Sequence, residues 1–301
     1  MNPANYTTIS LFGLEMDLPR ALQIGSLSIH LYGIIIACGL LLAVIYGCKR
    51  CKRFGFSEDD LLDGVLFIVP FAILCARLYY CIFEWDTYKD NLISILHIWN
   101  GGLAIYGGVI GAAVGVLVFS KVKKIKVGAV LDLVAIGFLI GQAIGRWGNF
   151  FNREAFGAAT ESFMKMGLFN RITQSWEYYH PTFLYESLWN TAGFVLLHFL
   201  SRKRQYDGQV ALGYVAWYGL GRTFIEGLRM DSLYWGNFRV SQMLAAVSCF
   251  AAVAVLLYMM FRQHDPAKLQ VNITAARKQP EEKKAAPGME PLFPEEENEA
   301  E

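Results

Sequence analysis

Residues 145–154 read Gly-Arg-Trp-Gly-Asn-Phe-Phe-Asn-Arg-Glu, and this polar block ends a long apolar run. Arg146, Asn149, Asn152 and Glu154 therefore stand where a membrane-spanning helix leaves the bilayer, a depth at which charge is costly and marks a functional site by default. A second set lies further on: Arg222 to Glu226 is a step of four and Glu226 to Arg229 a step of three, so the three share one helix face. His180, Tyr185 and Glu186 open another apolar run around Pro181, and Tyr32, Arg77 and Tyr106 fall near the ends of three more. Guanidinium forks match phosphate oxygens. Arginine with tyrosine, asparagine and glutamate can bind phosphate, stabilise a phosphate leaving group and move one proton. No H-E-x-x-H zinc motif, G-x-S-x-G elbow or P-loop is present, and no aspartate cluster lies in a span; metal-free group transfer fits this set.

The elements that position these residues follow from composition. Of 301 residues 54% are hydrophobic and only 18% charged, with a mean hydropathy of +0.33; a soluble chain is about a quarter charged. Several apolar runs approach the roughly 20 residues that cross a bilayer. The chain reads as an all-α, polytopic membrane protein with about seven transmembrane helices, near 27–48, 61–83, 101–120, 127–148, 182–200, 209–229 and 240–262. Met1 to Tyr6 lack the basic start of a cleaved signal peptide, so the first run reads as a retained helix. The net charge of +1 carries no information about partners, because what matters is where the charges lie; no nucleic-acid partner is expected.

Basic residues cluster on alternate connections: Lys49, Arg50, Lys52 and Arg53; Lys121, Lys123, Lys124 and Lys126; Arg202, Lys203 and Arg204; Arg262. The positive-inside rule then predicts an outside N-terminus and a cytoplasmic C-terminus. Residues 1–262 form the transmembrane domain, while 263–301, rich in Glu, Lys, Pro and Ala, read as a disordered charged cytoplasmic tail. Cys48 and Cys51 form a C-x-x-C with no second pair or nearby His, which reads as chance and packing. Gly107, Gly111 and Gly115, and Gly137, Gly141 and Gly145, recur every four residues and predict closely packed helix faces.

On this topology Tyr32, Arg77, Tyr106, Arg146, Asn149, His180, Tyr185, Glu186, Arg222, Glu226 and Arg229 all fall toward the outer side. Singly, each has a plainer explanation, since arginine snorkels, tyrosine joins the aromatic belt and Pro181 suits a helix start. Together they outweigh it, because snorkelling does not select the outer leaflet. A cationic cavity at that depth fits an anionic lipid headgroup. A transporter of an anionic solute would also gather arginines, but would show repeats and a midplane site. A non-catalytic lipid-binding or scaffold protein would not need so many ionisable groups.

The block 145–154, followed by Gly157, resembles the signature of the prolipoprotein diacylglyceryl transferase family. Five further blocks match in order: Leu31-Tyr32-Gly33; Trp99-Asn100-Gly101-Gly102; Gly107-Gly108; His180-Pro181-Thr182-Phe183-Leu184-Tyr185-Glu186; and Gly221-Arg222 through Glu226 to Arg229. The resemblance covers roughly residues 24–262. It implies transfer of the diacylglyceryl group of phosphatidylglycerol to the lipobox cysteine thiol of a prolipoprotein, with release of glycerol phosphate, at the outer leaflet of the bacterial cytoplasmic membrane. No cofactor or metal is implied. Arg146 and Arg222 would hold the phosphate as it leaves, Asn149 would orient the headgroup, and Tyr32 would line its pocket. Glu154 and Glu226 would pair with the arginines, and Gly157 would let the exit loop turn tightly. Asn152, Arg77, Arg229, His180, Tyr185 and Glu186 would complete the substrate-binding wall. Some family members carry histidine where this chain has Tyr106. The thiolate is therefore expected from Tyr106 activated by arginine, or from the positive field acting on the thiol itself.

Overall fold

The computed structural model describes residues 6–25, 27–98, 101–230, 234–236 and 238–285. The helices are α1 Leu31–Arg50, α2 Glu58–Phe83, the single turn α3 Trp85–Tyr88, α4 Ile105–Lys123, α5 Val127–Asn152, α6 Thr182–Leu200, α7 Gln209–Glu226, α8 Val240–Met260 and α9 Gln270–Ala285. A long helix stands at each of the seven expected positions. Five of them, α1, α2, α4, α5 and α8, are long and apolar enough to cross a membrane. Helices α6 and α7 fall short because His198, Glu186, Asn190, Arg222 and Glu226 dilute their hydropathy. Short connections make sequential helices run in opposite directions, so the bundle has two ends, one carrying Arg146 and Arg222 and the other carrying the basic connections.

Packing follows the small residues. Helix α4 lies against α2, and α1 against α5. Gly107, Gly111 and Gly115 are all buried, and Gly107 and Gly111 face Ala76 and Cys75 so closely that no Cβ would fit at either. The predicted glycine faces thus bring the helix backbones together. Helices α6 and α7 meet through stacked indoles: Trp189 and Trp217 lie 4.4 Å apart at 17°. Each donates its Nε1–H to the other's carbonyl oxygen, at 3.0 and 2.9 Å.

The all-α expectation is corrected at the site end. Strands β1 Tyr6–Leu11 and β2 Leu14–Met16 form a hairpin whose two-residue loop, Phe12-Gly13, has positive φ at both positions, the backbone that suits a tight hairpin. Two short hairpins, β3 Ala21–Ile24 with β4 Leu27–His30 and β7 Tyr234–Trp235 with β8 Phe238–Arg239, flank α1 and α8. Strands β5 Met166–Asn170 and β6 Ser175–Tyr179 extend the first hairpin into a sheet of order β2-β1-β5-β6. Ile9, Leu11, Met166 and Leu168 project from it onto Phe150 of α5 and Phe183 of α6. The sheet caps the helix ends that carry the signature block. Residues 27–30, read as the start of the first span, are therefore strand. The third begins at 105, because Gly101 and Gly102 both have positive φ.

At the opposite end, buried Asp132 accepts from the backbone N–H of Gly208 and of Ala211, both at 2.9 Å, satisfying orphan donors at the start of α7. The expectation of a structureless tail from 263 is corrected for its first part, since 270–285 is helical. Gln270 is buried; its backbone N–H donates to Asp207 (2.8 Å) and its side chain accepts from the Lys126 N–H (3.0 Å). Thr274 donates to the carbonyl of Gly55 at 2.6 Å. The acidic stretch at 295–299 lies outside the described residues.

Candidate active site

Glu186, in the second turn of α6 and nearly fully buried, is the hub of the site. Its Oε2 lies 2.5 Å from Arg146 Nη2, and its Oε1 lies 3.1 Å from Arg222 Nη1 and 3.5 Å from Arg229 Nη1. Glu226 Oε2 is 2.6 Å from Arg222 Nη2 and 4.0 Å from Arg229 Nε. Among the described residues three guanidinium groups thus share two carboxylates, one more cation than anion. Arg222 and Glu226 share the last turns of α7 as expected, but α7 ends at Glu226, so Arg229 lies beyond the helix, bridged to Gly157, and meets Glu226 from there. What spacing could not show is that Glu186 joins α5, α6 and the end of α7. Arg146 and Arg222 keep about a fifth of their side-chain surface open (21% and 17%), against 10% for Arg229. They are the two positioned to meet an anion.

The signature block divides its labour. Glu154 accepts from the amides of Asn149 (3.1 Å) and Asn152 (3.2 Å) and forms no ion pair among the described residues. The expected pairing of Glu154 with an arginine is therefore corrected: it sets the two asparagines. Arg153 turns away from the cluster with φ +56° and donates to the carbonyls of Phe151, Thr7 and Leu18, pinning the first hairpin. Burial, then the charge of Arg20, pulls its guanidinium below the ordinary arginine value. Trp147 donates to Ser187 Oγ at 3.2 Å, and Ser187 donates to the carbonyl of Ala143 at 2.8 Å, which ties α5 to α6.

Arg77 requires a correction. It is buried, and its guanidinium donates to the carbonyls of Ser94, Ile95, His97, Gly101 and Gly102, between 2.7 and 3.4 Å. Arginine has five N–H donors, and all are committed to folding the 94–102 loop, so none is left for a substrate phosphate. Trp99 and Asn100 of the same loop lie outside the described residues. Tyr106, in the first turn of α4, is 58% exposed, and among the described residues no guanidinium hydrogen-bonds its phenol. Activation of Tyr106 by arginine contact is thus not the arrangement found. Tyr32 lies with its ring packed on Gly148 of the signature block. His180 Nδ1 stands 3.3 Å from the Tyr185 hydroxyl, beside Glu186 but outside its ion pairs.

Gly157 is needed for proximity and not for a turn, since its φ is not positive. A Cβ there would lie 2.7 Å from His180 Cβ and 2.9 Å from the Leu228 carbonyl oxygen. The Gly157 N–H donates to the His180 carbonyl (2.9 Å), and the Ala158 N–H donates to that of Leu228 (2.8 Å), so this loop stitches α6 to the end of α7. Gly157→Ala should destabilise the protein by about 1–3 kcal/mol, the usual cost of overpacking, and lower activity with it. A thermal unfolding midpoint in detergent equal to that of the unchanged chain would contradict this. Sequence reasoning passed over Arg239, whose Nη1 donates to the Glu226 carbonyl at 2.7 Å and whose Nε donates to the Tyr234 hydroxyl at 2.8 Å. A cavity of about 550 Å³ opens beside it between α7 and α8, lined by Thr223, Phe238, Gln242 and Met243.

The fold is thus a bundle of long, largely apolar helices gathered around an arginine–glutamate cluster under a small sheet. Residues 19–258 match the family model for prolipoprotein diacylglyceryl transferase. The phosphatidylglycerol–prolipoprotein diacylglyceryl transferase of Listeria monocytogenes is 44% identical over 254 residues, covering 82% of this chain and 92% of the relative. The enzymes of that name from Ligilactobacillus salivarius and Bacillus licheniformis are each 43% identical, over 256 and 259 residues, covering 82% and 84% of this chain and 94% and 96% of theirs. The chain belongs to the prolipoprotein diacylglyceryl transferase family.

Proposed function

We propose that this chain transfers the diacylglyceryl group of phosphatidylglycerol to the lipobox cysteine of a prolipoprotein. The observation that carries the reading is the sharing of Glu186 and Glu226 among Arg146, Arg222 and Arg229. The excess charge and the open faces of Arg146 and Arg222 suit a phosphodiester. In the reaction the cysteine sulfur attacks the diacylglyceryl carbon that bears the phosphate. A C–S bond forms as the C–O bond breaks, and glycerol phosphate leaves with the bonding electrons. Arg146 and Arg222 stabilise the charge that collects on its oxygens. The thiol proton is lost to solvent under the positive field of the cluster, because a cation near a thiol favours the thiolate. Asn149, Asn152, Tyr32, His180 and Tyr185 shape the surrounding wall, and the cavity beside Arg239 has room for acyl carbons.

The same reading places all seven long helices across the bacterial cytoplasmic membrane, with the N-terminus outside, the arginine site at the outer leaflet and 263–301 in the cytoplasm. The basic connections at the far end support this orientation through the positive-inside rule. An anionic-solute transporter has no support among the three relatives described above, which bear the transferase name.

The test is direct. Purified protein is incubated with phosphatidylglycerol and a lipobox peptide, and glycerol phosphate release and the diacylglyceryl mass on cysteine are measured. A folded protein that yields neither product would overturn the reading. Tyr106→Phe separates the two routes to the thiolate: with the positive field as the cause, transfer should stay within about threefold of the unchanged chain. A loss of about a hundredfold, within the range for general bases, with an altered pH profile would make the phenol the base.

A further inference from the structure

At the end of the bundle opposite the arginine–glutamate site, α1 and α6 converge on a second group of cations. Arg50, the last residue of α1, is only 8% exposed. Its Nη2 donates to Ser201 Oγ at 3.1 Å and its guanidinium reaches the Tyr46 hydroxyl, but its Nε is buried without a hydrogen-bond partner among the described residues. No carboxylate pairs with it there. Tyr46 OH meets His198 Nδ1 at 2.9 Å, and Arg202 Nη2 meets His198 Nε2 at 3.1 Å, with the Arg202 guanidinium 5.0 Å above the Phe199 ring. Arg53 completes the set, and the charges of Arg50, Arg202 and Arg53 all reach the His198 ring.

Among the described residues the buried acids at this end face Arg204 and not Arg50. Asp132 and Asp207 lie 3.9 and 3.8 Å from Arg204 Nε and accept backbone N–H groups of Gly208, Ala211 and Gln270. A buried cation without a counter-ion is expensive, and here Arg50 is joined by two exposed cations at the rim of a lipid-facing surface. Leu42 and Ile45 in the C-terminal half of α1, and Leu196 and Phe199 near the end of α6, are exposed apolar residues. Charge at the rim with apolar walls beside it is the arrangement that recognises an anionic lipid headgroup between transmembrane helices.

We propose that the ends of α1 and α6 hold the phosphate of an anionic phospholipid through Arg50, Arg53 and Arg202, with its acyl chains along Leu42, Ile45, Leu196 and Phe199. This needs only that the helices cross a membrane, and stands whether or not the other end catalyses transfer. The lipid is a bound companion and not a reactant, because Arg146 and Arg222 lie at the opposite ends of their helices.

The test uses the full chain reconstituted in phosphatidylcholine vesicles containing phosphatidic acid, followed by native mass spectrometry of retained lipid. The unchanged chain should retain phosphatidic acid in preference to phosphatidylcholine. Arg202→Gln should weaken that retention about fivefold, and Arg50→Gln with Arg202→Gln by about that factor again, as expected for each basic residue at an anionic surface. Arg202 is exposed, so its substitution should leave the unfolding midpoint unchanged and keep the test valid if Arg50→Gln folds poorly. Equal retention by the unchanged chain and the Arg202→Gln variant, or equal retention of the two lipids, would overturn the proposal. In a lipid-free detergent arm, stabilisation by inorganic phosphate without selective retention of phosphatidic acid would make the site one for a free anion, which would also overturn it.

Discussion

Arg222→Gln should lower kcat/KM for diacylglyceryl transfer about 10²–10³-fold, the loss seen when one preorganised donor to a developing oxyanion is removed. Arg222 makes the two short contacts that join the cluster, 3.1 Å to Glu186 and 2.6 Å to Glu226, while keeping part of its guanidinium open. Charge on the departing phosphate grows along the reaction, so the loss should fall on kcat more than on KM. Arg222→Lys keeps the charge but loses the planar fork that spans two acceptors, and should recover only part of the rate. Glycerol phosphate release over a range of phosphatidylglycerol concentrations measures both constants. A kcat within twofold of the unchanged chain would remove Arg222 from leaving-group stabilisation.

Glu186→Ala should be the most destabilising single change at the site, by about 3–5 kcal/mol, the cost of leaving buried charge without its partner. Glu186 is nearly fully buried and touches Arg146, Arg222 and Arg229, so its removal takes a shared carboxylate from three guanidinium groups at once. Glu186→Gln keeps the volume and one acceptor oxygen, so it should fall between the two. Denaturation midpoints in detergent, compared across the three proteins, give the order. Equal midpoints for Glu186→Ala and the unchanged chain would mean that solvent already balances the arginines.

The seven long helices were legible because each is a mostly apolar run of helix length, though α6 and α7 carry several polar residues, and the helix ends shifted by only a few residues. The Arg222–Glu226 pair was legible for a similar reason, since a step of four has one geometric consequence on a helix, whereas the end of α7 at Glu226, short of Arg229, was not. Glu186 was placed in the wall but not at its centre, since pairing between α5, α6 and α7 leaves no spacing in the chain. Arg77 shows the converse. Its type and depth match those of Arg146, yet its five donors fold the 94–102 loop, and charge alone cannot reveal where donors point. The sheet was missed because its strands are three to six residues long and far apart, so β1 finds β5 across more than 150 residues. Gly13 between alternating Ile9, Leu11 and Leu14 was the available signal. The docked start of α9 was hidden by the charged composition that follows it.

The paired indoles of Trp189 and Trp217 sit three residues after Glu186 and five before Arg222. With each ring bonded to the other's carbonyl, α6 and α7 can neither slide nor roll past one another without breaking two hydrogen bonds at once. The Glu186–Arg222 spacing is therefore a fixed gauge. Arg146 reaches that gauge from α5 through one carboxylate contact, its single ion pair among the described residues. On the proposed function, accommodation of a bulkier or differently tilted headgroup would fall to the Arg146 side chain, the adjustable jaw of a clamp whose other jaw is rigid.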